Sequence, residues 1–459
     1  MQNTTSVPRF DLLTTLYRDE SMARVWSEEA TISAWLRVEA ELARAQARTG
    51  LITQSDADAI SSACSLENID TPRLWADAEV VGYPILPLVR QITEHLAEGP
   101  NGRVHYGATT QDIMDSGLAL QVMASIDRTL ELLVALGEAL RAAVEEHAAT
   151  PIAGRTHAQQ AVPTTFGAKM AVFLEEIRGR VELVSRLRGE VARVSLFGAG
   201  GTSAAMGNRS PEVRELLAEG LGLQLEDVPW HVARERLLDF GHALASISAI
   251  CIRMAREVID LSRTEVAEVR EEFGHHRGAS STMPQKANPI FCEAVIGLGV
   301  CTTALSAALL RAAEAGHERS AGEWQIEWIA IPDMCIYTAT SISLMTSVVG
   351  SMQVFPEQML RNLEAENGLI LSEAVMMKLA PALGREQAHD VVYAAAAEAR
   401  ERNASLTVTL SERVPKELRE VVNEVTPESY LGEAARVASI AVSRWDSTAK
   451  TLHREGTLS

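Results

Sequence analysis

Aromatic residues occupy only 5% of the 459 positions, which leaves little for the aromatic sheet faces of a sandwich or barrel. Basic residues are also scarce: 42 Lys and Arg stand against 61 Asp and Glu. The resulting formal charge of −19 opposes binding to polynucleotides or anionic lipid, so neither is an expected partner. The five cysteines, Cys64, Cys251, Cys292, Cys301 and Cys335, form no C-x-x-C pair. A zinc cage and a disulfide framework are therefore both disfavoured, and a cytoplasmic location is expected. Residues 1–10 lack a basic region followed by an apolar one, so no signal peptide is expected. Repeats and low-complexity segments are missing, and Gly198-Ala199-Gly200-Gly201 lacks the spacing of a dinucleotide-binding turn.

What is present favours helices. The chain is 47% hydrophobic and rich in Ala, Leu, Glu and Arg, and its length allows a large core in two or three domains. Apolar periodicity predicts one helix over residues 22–50, stopped by Gly50, and a second capped by Ser55. Longer helices are expected over 111–148, 164–194, 233–268, 289–314 and 328–349, and shorter ones after Pro356. At 1.5 Å per residue the long ones reach roughly 40 to 55 Å, the scale of an extended bundle. The uncharged runs 294–310 and 334–354 approach membrane-spanning length, but Ser, Thr or Gly interrupts each and charge bounds it. Both are expected to be bundle helices rather than membrane spans. The partition is an N-terminal helical domain over 1–110, a central bundle over 111–352 and a C-terminal helical domain over 353–459.

Three polar clusters each precede a long helix: His105 to Asp112, Arg155 to Gln160, and Ser280 to Asn288. Thr109 or Thr110 suits the cap of the first helix; Asn288 and Pro289 suit the cap and first turn of the third. Helix starts present unsatisfied N–H groups and partial positive charge, so the clusters predict a site for a small carboxylate. Removing a proton beside a carboxylate requires donors and cations at the developing oxygens, which Lys286, Asn288 and the helix start can supply. Ser280 can act as base only if its pKa falls far in that field; otherwise it is an ordinary loop serine. His157 is either a proton donor at a leaving group or a histidine satisfied by backbone. Lys286 and Arg155 taken singly fit structural roles equally well.

Gly278-Ala279-Ser280-Ser281-Thr282-Met283-Pro284-Gln285-Lys286-Ala287-Asn288-Pro289 closely resembles the G-S-S-x-M-P-x-K-x-N-P signature of the fumarase/aspartase superfamily. The other two clusters are similar to that family's first and second motif regions. Pro229-Trp230-His231, His317-Glu318-Arg319-Ser320 and Glu366-Asn367-Gly368-Leu369-Ile370 resemble the adenylosuccinate lyase and 3-carboxy-cis,cis-muconate cycloisomerase branch. The resemblance implies a three-domain all-α fold and a homotetramer whose active sites each draw one motif from each of three subunits. It implies Ser280 as base, Lys286 and Asn288 gripping a substrate carboxylate, and His157 paired with Glu293. Thr109, Thr110, Thr156 and Gln159 would bind substrate, with Ser281, Met283, His105 and Arg319 as further contacts. Neither cofactor nor metal is implied.

Departures narrow the expectation. Where adenylosuccinate lyases carry serines and an arginine for a nucleotide phosphate, this chain has Ala321, Gly322, Glu323, Trp324 and Trp328. Gln285 and Ala287 replace a usual His and Arg, and Ala279 a usual Gly. Retention of His157 favours elimination over lactonisation. The expected activity is β-elimination, C–N cleavage above all, from a succinyl or aspartyl-type di- or polycarboxylate, releasing fumarate. The alternatives are 3-carboxymuconate cycloisomerisation and a catalytically silent structural protein.

Overall fold

A computed structural model describes Leu13 and residues 16–96, 102–272, 278, 282–283 and 285–454; Ser280 and Ser281 lie outside the described residues. The fold is all-α, as expected. Seventeen α-helices and only two small two-stranded ribbons occur among the described residues. Two compact units are present: one comprises residues up to 132, 180–249 and 297–342, the other 133–179, 250–296 and 343 onward. Five long helices, Thr110–Glu146, Phe166–Val191, Glu235–Ser262, Ile290–Ala312 and Glu323–Ser351, contribute residues to both.

In the first unit, the helix expected over 22–50 is broken. Asp19 accepts the Met22 N–H at 2.7 Å to start Glu20–Val25, and Ser27 accepts the Ala30 N–H to start Glu28–Arg48. A good capping residue in extended backbone inside an apolar period ends one helix and opens another. Likewise Thr53, in a reciprocal capping box with Asp56, replaces Ser55 as the cap of Gln54–Ala63. Leu36, Leu42, Ile60, Leu88, Ile113 and Leu217 form the heart of this unit's core. Burying each such side chain contributes about 1.5–3 kcal/mol.

The second unit holds a feature absent from the expectation, a β-hairpin pairing Pro151–Thr156 with Gln159–Thr165. The helix that follows starts at Phe166 rather than 164, with Thr165 Oγ1 accepting the Ala168 N–H. Trp445 is buried against Gly137, where a Cβ would lie only 1.9 Å from its ring, and its Nε1 donates to Glu138. Leu406–Arg413 and Lys416–Asn423 are two further helices that periodicity did not indicate.

By length and composition, Glu235–Ser262, Ile290–Ala312 and Glu323–Ser351 could each cross a membrane. Ile290–Ala312 is the least covered: 28% of its most apolar stretch is buried within the chain, against 56% for the other two. Most of its apolar stretch is therefore uncovered by the described residues of one chain.

Candidate functional site

In the first unit the Thr110–Glu146 helix start is organised by a carboxylate that the sequence places in the motif but that local pattern does not single out. Asp112 is fully buried. Its Oδ2 accepts the N–H groups of Thr109 at 3.0 Å and Gly198 at 2.9 Å. Its Oδ1 takes the Phe197 N–H at 2.9 Å, the Ser195 hydroxyl at 3.2 Å and His231 Nε2 at 2.8 Å. A buried carboxylate needs this many donors to offset its desolvation. Gln111 donates to the His231 carbonyl and accepts Arg319 Nε at 3.0 Å. His105 Nδ1 lies 2.6 Å from Glu39 Oε1, and Glu39 is buried with its second oxygen unpartnered. Burial disfavours charge on His105, but Glu39 first and Asp112 next hold its pKa above the ordinary imidazole value. The structure thus gathers His105, Thr109, Thr110 and Arg319 around one helix start.

In the second unit His157 occupies the tip of the hairpin. The register pairs Thr156 with Gln159, so His157 and Ala158 form a two-residue turn with φ of 50° and 62°. Two left-handed residues in such a loop define a type I′ turn. Thr156, His157 and Gln159 are all exposed there. The hairpin base is anchored: Arg155 donates to buried Glu268 at 2.9 and 2.8 Å, Asn362 donates to the same carboxylate at 2.7 Å, and Gln160 donates to the Asn362 carbonyl. Arg155 is structural, one of the two roles open to it. A left-handed non-glycine residue costs about 1–2 kcal/mol. Ala158→Gly is therefore expected to raise stability by about 1 kcal/mol, read as a higher urea midpoint at unchanged slope.

The third cluster corrects the expected cap. Asn288 does not cap the Ile290–Ala312 helix; its backbone N–H and its Nδ2 both donate to the Gly278 carbonyl at 3.0 Å. Gly278 has φ of 65°, and a Cβ there would lie 2.6 Å from the Asn288 carbonyl, so only glycine fits. Asn288 thereby closes the loop that carries Ser280. The helix start is occupied by the chain's own anion: buried Glu271 accepts the Phe291 N–H at 3.2 Å and the Cys292 N–H at 2.8 Å. Burial, then Glu271 and Glu293, push the Cys292 thiol up, so it is no thiolate despite its place at a helix start.

Asp112 thus holds the Thr109 N–H just before the first helix, while Thr165 and Glu271 take first-turn N–H groups of the other two. Lys286 is exposed, as are Met283 and Glu293. Among the described residues His157 and Glu293 are not ion-paired, and both face outward in the single chain. Glu39 is a residue that periodicity could have flagged: Ile32, Leu36, Glu39, Ala43 and Gln46 share a buried helix stripe, where a carboxylate demands a partner. Glu271 carries no such signal.

A family model described as "Lyase" matches residues 11–304, and one described as "Adenylosuccinate lyase C-terminus" matches 368–439. A 3-carboxy-cis,cis-muconate cycloisomerase from Pseudomonas aeruginosa is 36% identical, covering 93% of this chain and 95% of its own. An N-acetyl-S-(2-succino)cysteine lyase from Enterococcus italicus is 31% identical, covering 92% and 94%. The solved 3-carboxy-cis,cis-muconate lactonizing enzyme of Pseudomonas putida superposes with a TM-score of 0.90 at 33% identity, covering 96% of this chain and 100% of that one.

Proposed function

This chain belongs to the lyase family of the fumarase/aspartase superfamily, in the adenylosuccinate lyase and 3-carboxy-cis,cis-muconate cycloisomerase branch, and we propose that it is a cofactor-independent lyase acting by β-elimination on a succinyl or aspartyl-type dicarboxylate, with release of fumarate. In this reading Ser280 removes the proton beside one carboxylate, and Lys286 stabilises the charge that develops there. His157 protonates the departing nitrogen. Thr109, Thr110, Thr156 and Gln159 hold the second carboxylate, with His105, Ser281, Met283 and Arg319 around them. Asn288 serves by fixing the loop.

The observation that carries this reading is the placement of His157: an ionisable ring at an exposed, anchored turn, in the motif position the elimination chemistry requires. The succinyl compound in the name of one relative points the same way. We further propose a homotetramer with composite sites, supported by the sparsely covered Ile290–Ala312 helix and by the outward, unpaired placement of His157 and Glu293.

The test is a panel of aspartyl and succinyl adducts scored by the ultraviolet absorbance of fumarate. Release from at least one aspartyl or succinyl compound is expected. The second reading is lactonisation of 3-carboxymuconate, favoured by the likeness to cycloisomerases over almost the whole chain. Lactone formation with no fumarate from any adduct would establish it in place of the first.

A further inference from the structure

The first unit contains a cavity of about 380 Å³ that no part of the proposed mechanism uses. Five of the seven tryptophans reach it: Trp26, Trp35, Trp75, Trp324 and Trp328. Trp324 and Trp328 meet edge to face with ring centres 5.0 Å apart, and Trp328 Nε1 is buried without an acceptor among the described residues. Three carboxylates, Glu28, Asp115 and Glu327, also line it, while no Lys, Arg or His among the described residues does. Arg234 bonds both Asp115 and Glu327, which leaves that buried trio one negative charge in excess. Burial first, then Asp115, push the Glu327 pKa up against the pull of Arg234, which fits an under-compensated carboxylate. An anion is repelled from such a lining, whereas an organic cation gains from both the carboxylates and the indole faces.

The cavity adjoins the first cluster. Met114, Leu118 and Gln121 line it from one face of the Thr110–Glu146 helix, and Thr110 lies one turn earlier on the same stripe. Trp324, also in the lining, donates its backbone N–H to the Ser320 hydroxyl, and Ser320 is the neighbour of Arg319.

We propose that this cavity is the leaving-group pocket of the elimination site and that it takes an organic ammonium bearing an aromatic or bulky alkyl body. The assignment as leaving-group pocket rests on the lyase reading; the capacity to bind such a cation does not. For an N-substituted aspartate, the C3–H and C2–N bonds break and the C2=C3 double bond of fumarate forms. The electron pair leaves with nitrogen, which takes up a proton, so fumarate and an alkylammonium depart with no net release of protons.

Titrating the full-length protein with benzylammonium should give saturable quenching of tryptophan fluorescence. The isosteric phenylacetate should bind about 10-fold more weakly. Glu28→Gln should weaken benzylammonium about 3-fold and leave phenylacetate no weaker, so that the difference between the two probes narrows. N-benzylaspartate should be cleaved with a higher kcat/KM than N-methylaspartate, a preference reduced in Trp328→Leu. No saturable quenching, or equal binding of the two probes, overturns the proposal. So does fumarate release from N-methylaspartate with no gain from the benzyl group, which leaves the lyase reading intact. Selective benzylammonium binding with no fumarate from any N-substituted aspartate supports the cation site but overturns its leaving-group role; the lyase reading falls with it only if the succinyl adducts release no fumarate either.

Discussion

A Ser280→Ala variant is expected to fold normally and lose about 10²–10⁴-fold in kcat, the range typical of a lost general base. The ends of the loop are tied by the two hydrogen bonds from Asn288 to the Gly278 carbonyl, and Gly278 supplies the left-handed backbone that lets them close. Thermal stability should therefore stay within a degree or so of the parent, and KM should change little, because carboxylate binding is assigned to other side chains. A His157→Asn variant should lose a comparable factor and also keep its fold. Asn tolerates the φ of 50° at the hairpin tip, whereas Ala or Leu would add strain to the missing ring. Mixing the two inactive proteins supplies the sharper test. If each site takes Ser280 from one subunit and His157 from another, random exchange restores both groups to about a quarter of the sites. Recovered fumarate release in the mixture is expected. Equal rates for parent and Ser280→Ala would remove Ser280 as base; no recovery on mixing, with exchange verified by mass, would place both groups on one subunit.

How much of this was readable without coordinates depended on how local each signal is. Helix starts are local events, so the start of Thr110–Glu146 was placed to within a residue. The hairpin was not, because its turn is His157-Ala158, and neither residue advertises positive φ as Asn-Gly would. The site's carboxylates were harder still. Glu268 and Arg155 are 113 positions apart, and Glu39 and His105 are 66 apart, so no window of sequence joins them. Glu271 shows why a helix start read from sequence is not by itself an anion site: a free helix N-terminus attracts an anion, and here the chain provides its own. The motifs indicated which residues gather at the first cluster, while the buried charges that hold them came from the fold.

The largest stability effect is expected at Arg234. Its guanidinium is buried over the Trp230 ring at 4.9 Å, with Nη1 and Nη2 forked onto Asp115 at 2.9 and 3.0 Å and Nε on Glu327 at 2.7 Å. Arg234→Met keeps the apolar stem and removes the only cation between two buried carboxylates, which should cost about 3–5 kcal/mol. Arg234→Lys should recover only part of this, since one ammonium cannot fork onto both partners. The pH dependence follows from the direction of the Glu327 shift. Its pKa is raised in the fold, so the stability it contributes is fully present below its unfolded pKa and is lost as pH rises through the folded value. Without Arg234 the Glu327 pKa shifts further up, because no cation offsets its burial. The deficit of Arg234→Met should therefore be smaller at pH 5 than at pH 8, and adding Glu327→Gln should recover a large share of it at pH 8. Urea midpoints at fixed protein concentration measure all three variants. A deficit below about 1 kcal/mol, or one that does not change between the two pH values, would mean that water already solvates this trio, and the buried surplus of charge beside the tryptophan cavity would go with it.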